Sequence, residues 1–174
     1  MGRHTDTKRT LDGHEAGRLS IRAMANRDIR HFSLLFQRIF SQPPWNETWS
    51  IAFIHDLAWK IMRRPGYIGT VAEYESRPVG YAIGYELPRV PFIPGFFYLD
   101  HLFVDEEYRG IGVGGGLLAK MALLAGIRRM GTMLLMTKKN SPAEALYLDE
   151  GFKRLLPFIK IQKKIVLYKK LYRI

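Results

Sequence analysis

Apolar positions change their spacing several times along the chain after residue 18. Residues 19–24 alternate between apolar and polar and predict a first strand, whereas residues 29–40 carry apolar side chains at helical spacing. Pro43 and Pro44 cannot continue that helix. A second helical pattern runs over residues 51–61. This part of the chain therefore predicts the order strand, helix, helix.

The rest of the chain continues to alternate between strand and helix patterns. The predicted elements are a hairpin (67–74 and 79–85), a central strand (96–104), a helix from about Gly112 or Gly114 to 127, a strand (132–137), a helix from Ser141, and strands over 153–158 and 161–172. The helix at Ser141 has the clearest start, because Pro occupies its first position and Glu144 lies three residues after the cap. The order predicts an α/β fold with a mixed sheet of about seven strands flanked by about four helices.

The polar first residues and the absence of a long apolar run predict where the protein is located. Residues 1–17 are polar, lack the apolar segment of a secretory signal and predict a disordered tail before a single domain over residues 18–174. No apolar run approaches the ~20 residues that span a membrane. We therefore expect a cytoplasmic protein with no membrane partner.

Charge and cysteine content narrow the possible chemistry. The net charge is +11, and no acidic residue follows Glu150. This charge is compatible with a polyanionic partner, either a nucleotide cofactor or nucleic acid, and equally with a solvated surface. The chain has no cysteine and its five histidines are scattered. Disulfides and a cysteine nucleophile are excluded, and no metal site is expected.

A glycine-rich segment follows the central strand at the predicted start of a helix. Backbone N–H groups that no side chain shields lie there at the positive end of the helix dipole, which favours a phosphate. Gly110-x-Gly112-x-x-Gly115 also matches a dinucleotide fingerprint, but Met130 stands where that fingerprint needs an acidic residue. Tight packing of the helix is the alternative explanation for the glycines. The preceding residues 105–107 predict a solvated acidic turn.

Two motifs resemble those of the GNAT superfamily of N-acetyltransferases. Arg109-Gly110-Ile111-Gly112-Val113-Gly114 resembles the R/Q-x-x-G-x-G/A pattern of that family, and residues 140–152 resemble its second signature, N-x-x-A-x-x-L-Y-x-x-x-G-F. The resemblance covers residues 18–172 and implies the GNAT fold. It also implies transfer of an acetyl group from acetyl-CoA to a primary amine.

The resemblance implies roles for particular residues. Those implied to bind acetyl-CoA are Arg109, Gly110, Ile111, Gly112, Val113, Gly114 and Gly115 at the pyrophosphate, Leu102, Phe103 and Val104 along the pantetheine arm, and Asn140 and Tyr147 near the acetyl group. Tyr147 would also protonate the departing thiolate, unless it is a core tyrosine. A backbone N–H near Phe103 or Val104 would stabilise the oxyanion. Without a cysteine, direct transfer in a ternary complex is implied.

The base that deprotonates the amine is predicted on the central strand. Asp100 is the first candidate, acting as base or as a residue that merely positions the amine, and a water relay is the alternative. In a regular strand His101 points to the opposite face and is the weaker candidate. A bulge would reverse this, because it shifts the facing of each residue.

The acceptor is predicted to bind between the first two helices. Trp45, Glu47 and Trp49 could enclose a cationic amine through cation–π and charge contacts. In the alternative interpretation the tryptophans pack the helices and Asn46 caps the second one. A proline-rich loop over residues 87–95 predicts a further wall of the pocket.

The sequence favours a small-molecule amine as acceptor. The basic charge of the chain argues mildly against an aminoglycoside, and a protein N-terminus or lysine is the other enzyme alternative. A non-catalytic acyl-CoA sensor and a nucleic-acid binder are the non-enzyme alternatives. The last strand lacks a stacking platform, which argues against nucleic acid and is compatible with a homodimer interface.

Overall fold

The computed structural model describes residues 18–87, 95–155 and 164–171. Within them, seven strands form one mixed sheet in the order β1-β2-β3-β4-β5-β7-β6. The strands are β1 (Leu19–Ala23), β2 (Tyr67–Tyr74), β3 (Arg77–Leu87), β4 (Phe96–Val104), β5 (Thr132–Lys138), β6 (Lys153–Arg154) and β7 (Lys164–Lys170). The helices are α1 (Ile29–Phe40), α2 (Ile51–Met62), α3 (Val113–Ile127) and α4 (Pro142–Asp149).

This architecture confirms the predicted fold, including the hairpin of β2 and β3. Three predictions fall wholly or largely outside the described residues: the tail over residues 1–17, the proline-rich loop between Leu87 and Gly95, and the segment 156–163 that joins the last two strands.

The sheet carries a core on each face. On one face α3 packs against the middle strands, with Leu117 and Met121 fully buried, and Tyr147 of α4 joins the same cluster. On the other face α1 and α2 cover the sheet through Phe32 and Ile54. Side chains of β4 alternate between these two cores, so this strand can present groups to both faces.

β4 and β5 separate part of the way along their length. They are parallel neighbours and pair only from Phe96 with Thr132 to Leu99 with Leu135. β4 continues to Val104 and β5 to Lys138, where β5 still pairs with β7. The described strands therefore leave one edge of β4 without a partner after Leu99.

A bulge in β4 lies at the same place. Gly84 of β3 pairs with Leu99, but the next residue of β3, Ile83, pairs with His101, so Asp100 is the extra residue. Leu99 and Leu102 both contact the α3 core, whereas His101 and Phe103 face α1. The bulge thus reverses the facing expected for a regular strand and turns His101 toward α1 and α2.

A buried ion-pair network holds the start of α1 against the edge of the sheet. The Arg22 guanidinium donates to both carboxylate oxygens of Asp28, at 2.8 and 2.7 Å, and to Glu73 at 2.6 Å. Asp28 is 4% exposed. Burial alone would raise its pKa, but hydrogen bonds from Arg22 and from the Ala25 N–H hold it below its ordinary value. The carboxylate therefore stabilises the fold in its charged form.

We expect Asp28→Ala to lower the free energy of unfolding by about 3 kcal/mol at neutral pH, because it leaves Arg22 without its buried partner. A lowered carboxyl pKa gives stability that is present above the ordinary aspartate pKa of about 3.9 and lost as the pH falls below it. The difference between the variant and the parent should therefore narrow in acid. Urea denaturation at several pH values measures both effects.

Asp56→Ala is the control for this experiment, because it removes an exposed carboxylate paired with Lys60 on α2. Such a pair contributes about 0.5 kcal/mol or less. Equal losses for the two variants would contradict the role given to Asp28.

Candidate active site

The glycine-rich segment forms the start of α3. Gly112 precedes the helix with a φ of 89°, a left-handed conformation that favours glycine. The first helical hydrogen bond runs from the Gly116 N–H to the Gly112 carbonyl at 3.0 Å. The N–H groups of Val113, Gly114 and Gly115 precede it and have no acceptor within the helix. They form a cluster of donors suited to an anion.

Several of these glycines also allow the helix to pack closely. A Cβ on Gly114 would lie 3.0 Å from Leu146 of α4, and one on Gly115 would overlap the Glu150 carboxylate. Tight packing therefore does account for Gly114 and Gly115, as the alternative interpretation expected. Gly110 differs, because its φ is 78° and the space beyond its Cα is open. Its lack of a side chain leaves room for a ligand beside the helix start.

Arg109 joins the end of β4 to this segment. Its Nε donates to the Val104 carbonyl at 3.0 Å, and its Nη1 lies 3.2 Å from the Glu106 carboxylate. The side chain is about half exposed. Ile111 follows and packs against the α3 core. The guanidinium is thereby held between the free edge of β4 and the start of α3.

The acidic turn before Arg109 is only partly solvated. Glu106 and Glu107 are exposed, as predicted, but Asp105 is 5% exposed and accepts a hydrogen bond from Arg38 of α1. The prediction was wrong for Asp105, because its partner lies 67 residues earlier in the chain. This pair fixes α1 to the end of β4.

Backbone N–H groups of β4 point alternately toward β3 and into the gap beside β5. The Asp105 N–H donates to the Val79 carbonyl of β3 at 2.8 Å. Backbone groups alternate along an antiparallel strand, so Phe103 also points its N–H toward β3. Leu102 and Val104 point theirs the other way, into the gap left by β5. The gap therefore exposes backbone donors to an extended ligand.

The loop between β5 and α4 follows directly on β5, the strand across the gap from β4. Ser141 caps α4 by accepting from the Glu144 N–H at 3.2 Å, as predicted. Asn140 has a left-handed φ of 58°, and its N–H donates to the Glu144 carboxylate. Burial would raise the Glu144 pKa, but this bond and the one from Arg154 at 2.8 Å lower it. The backbone at Asn140 is therefore fixed in place.

Tyr147 lies on α4 and is 7% exposed. Its ring packs on Phe152, with 5.6 Å between ring centroids. Burial raises its pKa to about 12, so the phenol keeps its proton at neutral pH. Within the described residues no hydrogen bond holds the hydroxyl. It is both a core side chain and a potential proton donor.

A cavity of about 230 Å³ lies on the opposite face, between α1, α2 and the sheet. Its lining includes two of the predicted acceptor residues, Glu47 and Trp49, together with His101. The described residues that line it are Phe32, Phe36, Glu47, Trp49, Phe53, Ile54, Leu57, Ala58, Ile61, Ile83 and His101. Neither Trp45 nor Asp100 is part of this wall.

His101 reaches the cavity because of the bulge in β4. Its ring contacts those of Phe36 and Phe40, with centroids 5.5 and 6.0 Å apart. Its Nδ1 is buried and lies 3.2 Å from the Asp100 carboxylate, although the two atoms are not aligned as a hydrogen bond. Asp100 thus stands behind the imidazole, away from the cavity.

The segment between α1 and α2 places the predicted acceptor residues differently from one another. The Trp49 indole donates to the Glu47 carboxylate at 2.6 Å and stacks on Phe53. Trp45 packs edge-on against Phe40. The alternative interpretation is therefore right that the tryptophans contact the helices. It was wrong about the cap, which is Ser50 and not Asn46.

Sequence reasoning missed Phe53 and Leu57 as lining residues. They continue from Trp49 at a spacing of four residues, beside the buried face of α2 that contains Ile54 and Ala58. A second apolar stripe on one helix was the available signal.

In the described part of the chain, no group of three or more His, Cys, Asp or Glu side chains is placed to hold a metal ion. None of the described helices is long and apolar enough to cross a membrane.

Solved structures share this fold at low sequence identity. A ribosomal-protein-alanine N-acetyltransferase from Brucella melitensis has a TM-score of 0.70 at 22% identity, over 87% of this chain and 99% of that one. PaiA N-acetyltransferase from Thermoplasma acidophilum, in complex with coenzyme A, gives 0.69 at 14% identity over 87% and 98%. An aminoglycoside acetyltransferase from an uncultured soil metagenomic sample, in complex with sisomicin, gives 0.65 at 17% identity over 85% and 99%. No curated protein sequence was found to match.

The sequence itself identifies the family. The model of the acetyltransferase (GNAT) family matches residues 32–152, which span α1 to the end of α4 and include both motifs. The matched region contains the glycine-rich start of α3, the free edge of β4 and the cavity under α1. The chain therefore belongs to the acetyltransferase (GNAT) family and is an acyltransferase.

Proposed function

We propose that this protein transfers the acetyl group of acetyl-CoA directly to the primary amine of a small molecule. One observation carries the proposal: β4 offers a free backbone edge beside the start of α3 and, through its bulge, places His101 in a cavity on the other face. A donor bound on one side and an acceptor on the other would meet at this strand.

The donor side fits acetyl-CoA, which supplies an activated acetyl thioester. The free N–H groups at the start of α3 and the side chain of Arg109 would hold its diphosphate. Leu102 and Val104, rather than Phe103, would bond its pantetheine arm as an added strand. Asn140 lies in the loop that follows β5, the strand across the gap from β4. The coenzyme A bound to the similar PaiA structure supports this assignment.

The acceptor side must remove a proton from the amine. A lysine-like amine has a pKa near ~10.4 and is mostly charged at neutral pH, and only its neutral form attacks. We assign the base to the imidazole of His101, which lines the cavity, and give Asp100 the role of a positioning residue behind it. The Tyr147 hydroxyl then gives its proton to the departing sulfur.

The size of the cavity supports a small acceptor. Its volume of about 230 Å³ is closed below by the sheet and bordered by α1 and α2. One similar structure is named for a ribosomal-protein alanine acceptor and another holds sisomicin, at 22% and 17% identity. Identities this low show a shared fold, and the acceptor of this chain depends on the side chains that line its own cavity.

Gly110→Asp tests the diphosphate site. A carboxylate there would repel the donor and weaken acetyl-CoA binding at least about tenfold, or about 1.4 kcal/mol. Isothermal titration with acetyl-CoA measures the change. Gly151→Asp is a matched control, because Gly151 also has a positive φ (83°) and open space beyond its Cα. If both variants lose affinity equally, the site lies elsewhere.

Tyr147→Phe should lower kcat about a hundredfold, the usual loss for a missing general acid, and leave acetyl-CoA affinity almost unchanged. Stopped-time assays of CoA release measure the rate. Tyr67→Phe is the control, since Tyr67 is a half-buried tyrosine whose pKa is likewise raised by burial. An active Tyr147→Phe enzyme would leave Tyr147 with a packing role only.

His101→Gln should lower kcat/KM about a hundredfold at pH 7. The loss should shrink as the pH approaches the pKa of the amine, because the amine then loses its proton without help. Asp100→Asn should lower kcat/KM less than His101→Gln does at every pH. The measurement is kcat/KM of the parent and both variants over a pH series. A larger loss for Asp100→Asn than for His101→Gln would identify Asp100 as the base.

A further inference from the structure

The cavity beside His101 is lined mainly by apolar side chains, both at its floor and at its rim. Its floor is made of buried side chains, among them Phe32 and Ile83 at 4% and 2% exposure. Trp49, Phe53 and Leu57 form its rim and are 40–47% exposed. Large apolar side chains that remain exposed around a concave surface favour a ligand that covers them.

The polar groups in this lining are few and fixed in place. Among the described residues they are the imidazole of His101, the carboxylate of Glu47 and the indole N–H of Trp49. The Glu47 N–H donates to the Phe40 carbonyl at 2.8 Å, and its carboxylate accepts from the Trp49 indole. No lysine or arginine of the described residues pairs with Glu47. Its negative charge is therefore available to a single cation at the rim.

We propose that the acceptor is a primary amine carried on an aromatic or compact aliphatic group, with the apolar group in the cavity and the amine between Glu47 and His101. This inference rests on the proposed acetyl transfer and specifies its substrate class. An apolar cavity of about 150 Å³ can hold benzene, so about 230 Å³ accommodates a ring with a short side chain.

Polyamines and aminoglycosides fit this lining poorly. Each additional ammonium group would lose water and gain no charged partner among the described residues, where Glu47 is the one carboxylate of the lining. An apolar amine leaves its single charge at the rim and removes Phe53 and Leu57 from water. The free energy of binding then comes from buried apolar surface.

Two sources could supply such an amine: a free small molecule, or the N-terminus of a peptide that begins with an aromatic residue. Phenethylamine represents the first and the tripeptide amide Phe-Gly-Gly represents the second. Both present the same ring and amine to the cavity. Only the peptide continues outward past the rim.

The experiment compares phenethylamine with ethanolamine and spermidine in an assay of CoA release. We expect kcat/KM for phenethylamine to exceed that of the other two by about 30-fold, the gain from burying a ring. Equal or better use of ethanolamine or spermidine overturns the inference. If Phe-Gly-Gly amide exceeds phenethylamine, the source is a peptide and the substrate chemistry stands.

Phe53→Ala tests whether the rim contacts the ring. Loss of this apolar contact should raise KM for phenethylamine about fivefold or more and leave KM for acetyl-CoA unchanged. Ile51→Ala is the matched control, because Ile51 is on the same helix, is 40% exposed and does not line the cavity. Thermal melting verifies that both variants are folded. Equal effects of the two substitutions overturn the assignment.

Equilibrium binding separates failure of this inference from failure of the proposed function. Phenethylamine should bind the CoA-saturated protein and quench its tryptophan fluorescence through Trp49, whereas ethanolamine should not. If acetyl-CoA binds but phenethylamine does not, the inference is wrong and the proposed function is unaffected. If acetyl-CoA itself does not bind, the proposed function fails and the inference falls with it.

Discussion

The separation of β4 from β5 is the constraint on which the site depends. Up to Leu99 the two strands share hydrogen bonds, and beyond it β3 is the one neighbour of β4 among the described strands. Unpaired backbone groups in a sheet are costly unless water or a ligand satisfies them. The bulge at Asp100 falls at the point of separation and exchanges the faces of the residues that follow. The same short region of β4 therefore has an unpaired edge and a bulge that turns His101 toward α1 and α2.

Buried ion pairs keep the wall of the cavity in position. Asp28 directly precedes α1 and Asp105 directly follows β4, and each carboxylate is paired with an arginine. Arg22 reaches Asp28 from β1, whereas Arg38 reaches Asp105 from α1. A buried charge without its partner is strongly destabilising, so α1 cannot shift without a large cost. The cavity between α1 and α2 is thereby tied to β4.

The sequence predicted the elements that local chemistry determines. The cap at Ser141 and the apolar central strand β4 both depend on residues a few positions apart, and both were found. The bulge at Asp100 depends on register with β3, which no local pattern reports. The sequence alone therefore does not determine which face of the sheet the His101 side chain lies on. Likewise, the burial of Asp105 follows from a partner in a distant helix.

The proposed donor side of the site consists mainly of backbone groups, and the proposed acceptor side consists of side chains. The free edge of β4 and the start of α3 present backbone N–H groups, whereas the cavity is lined by side chains, most of them from α1 and α2. Backbone groups are unchanged by most substitutions, but Phe53 or Leu57 can be replaced one at a time on an exposed helix. The fold can thus keep one donor while its acceptor preference drifts, which makes α2 the natural place to redesign the enzyme.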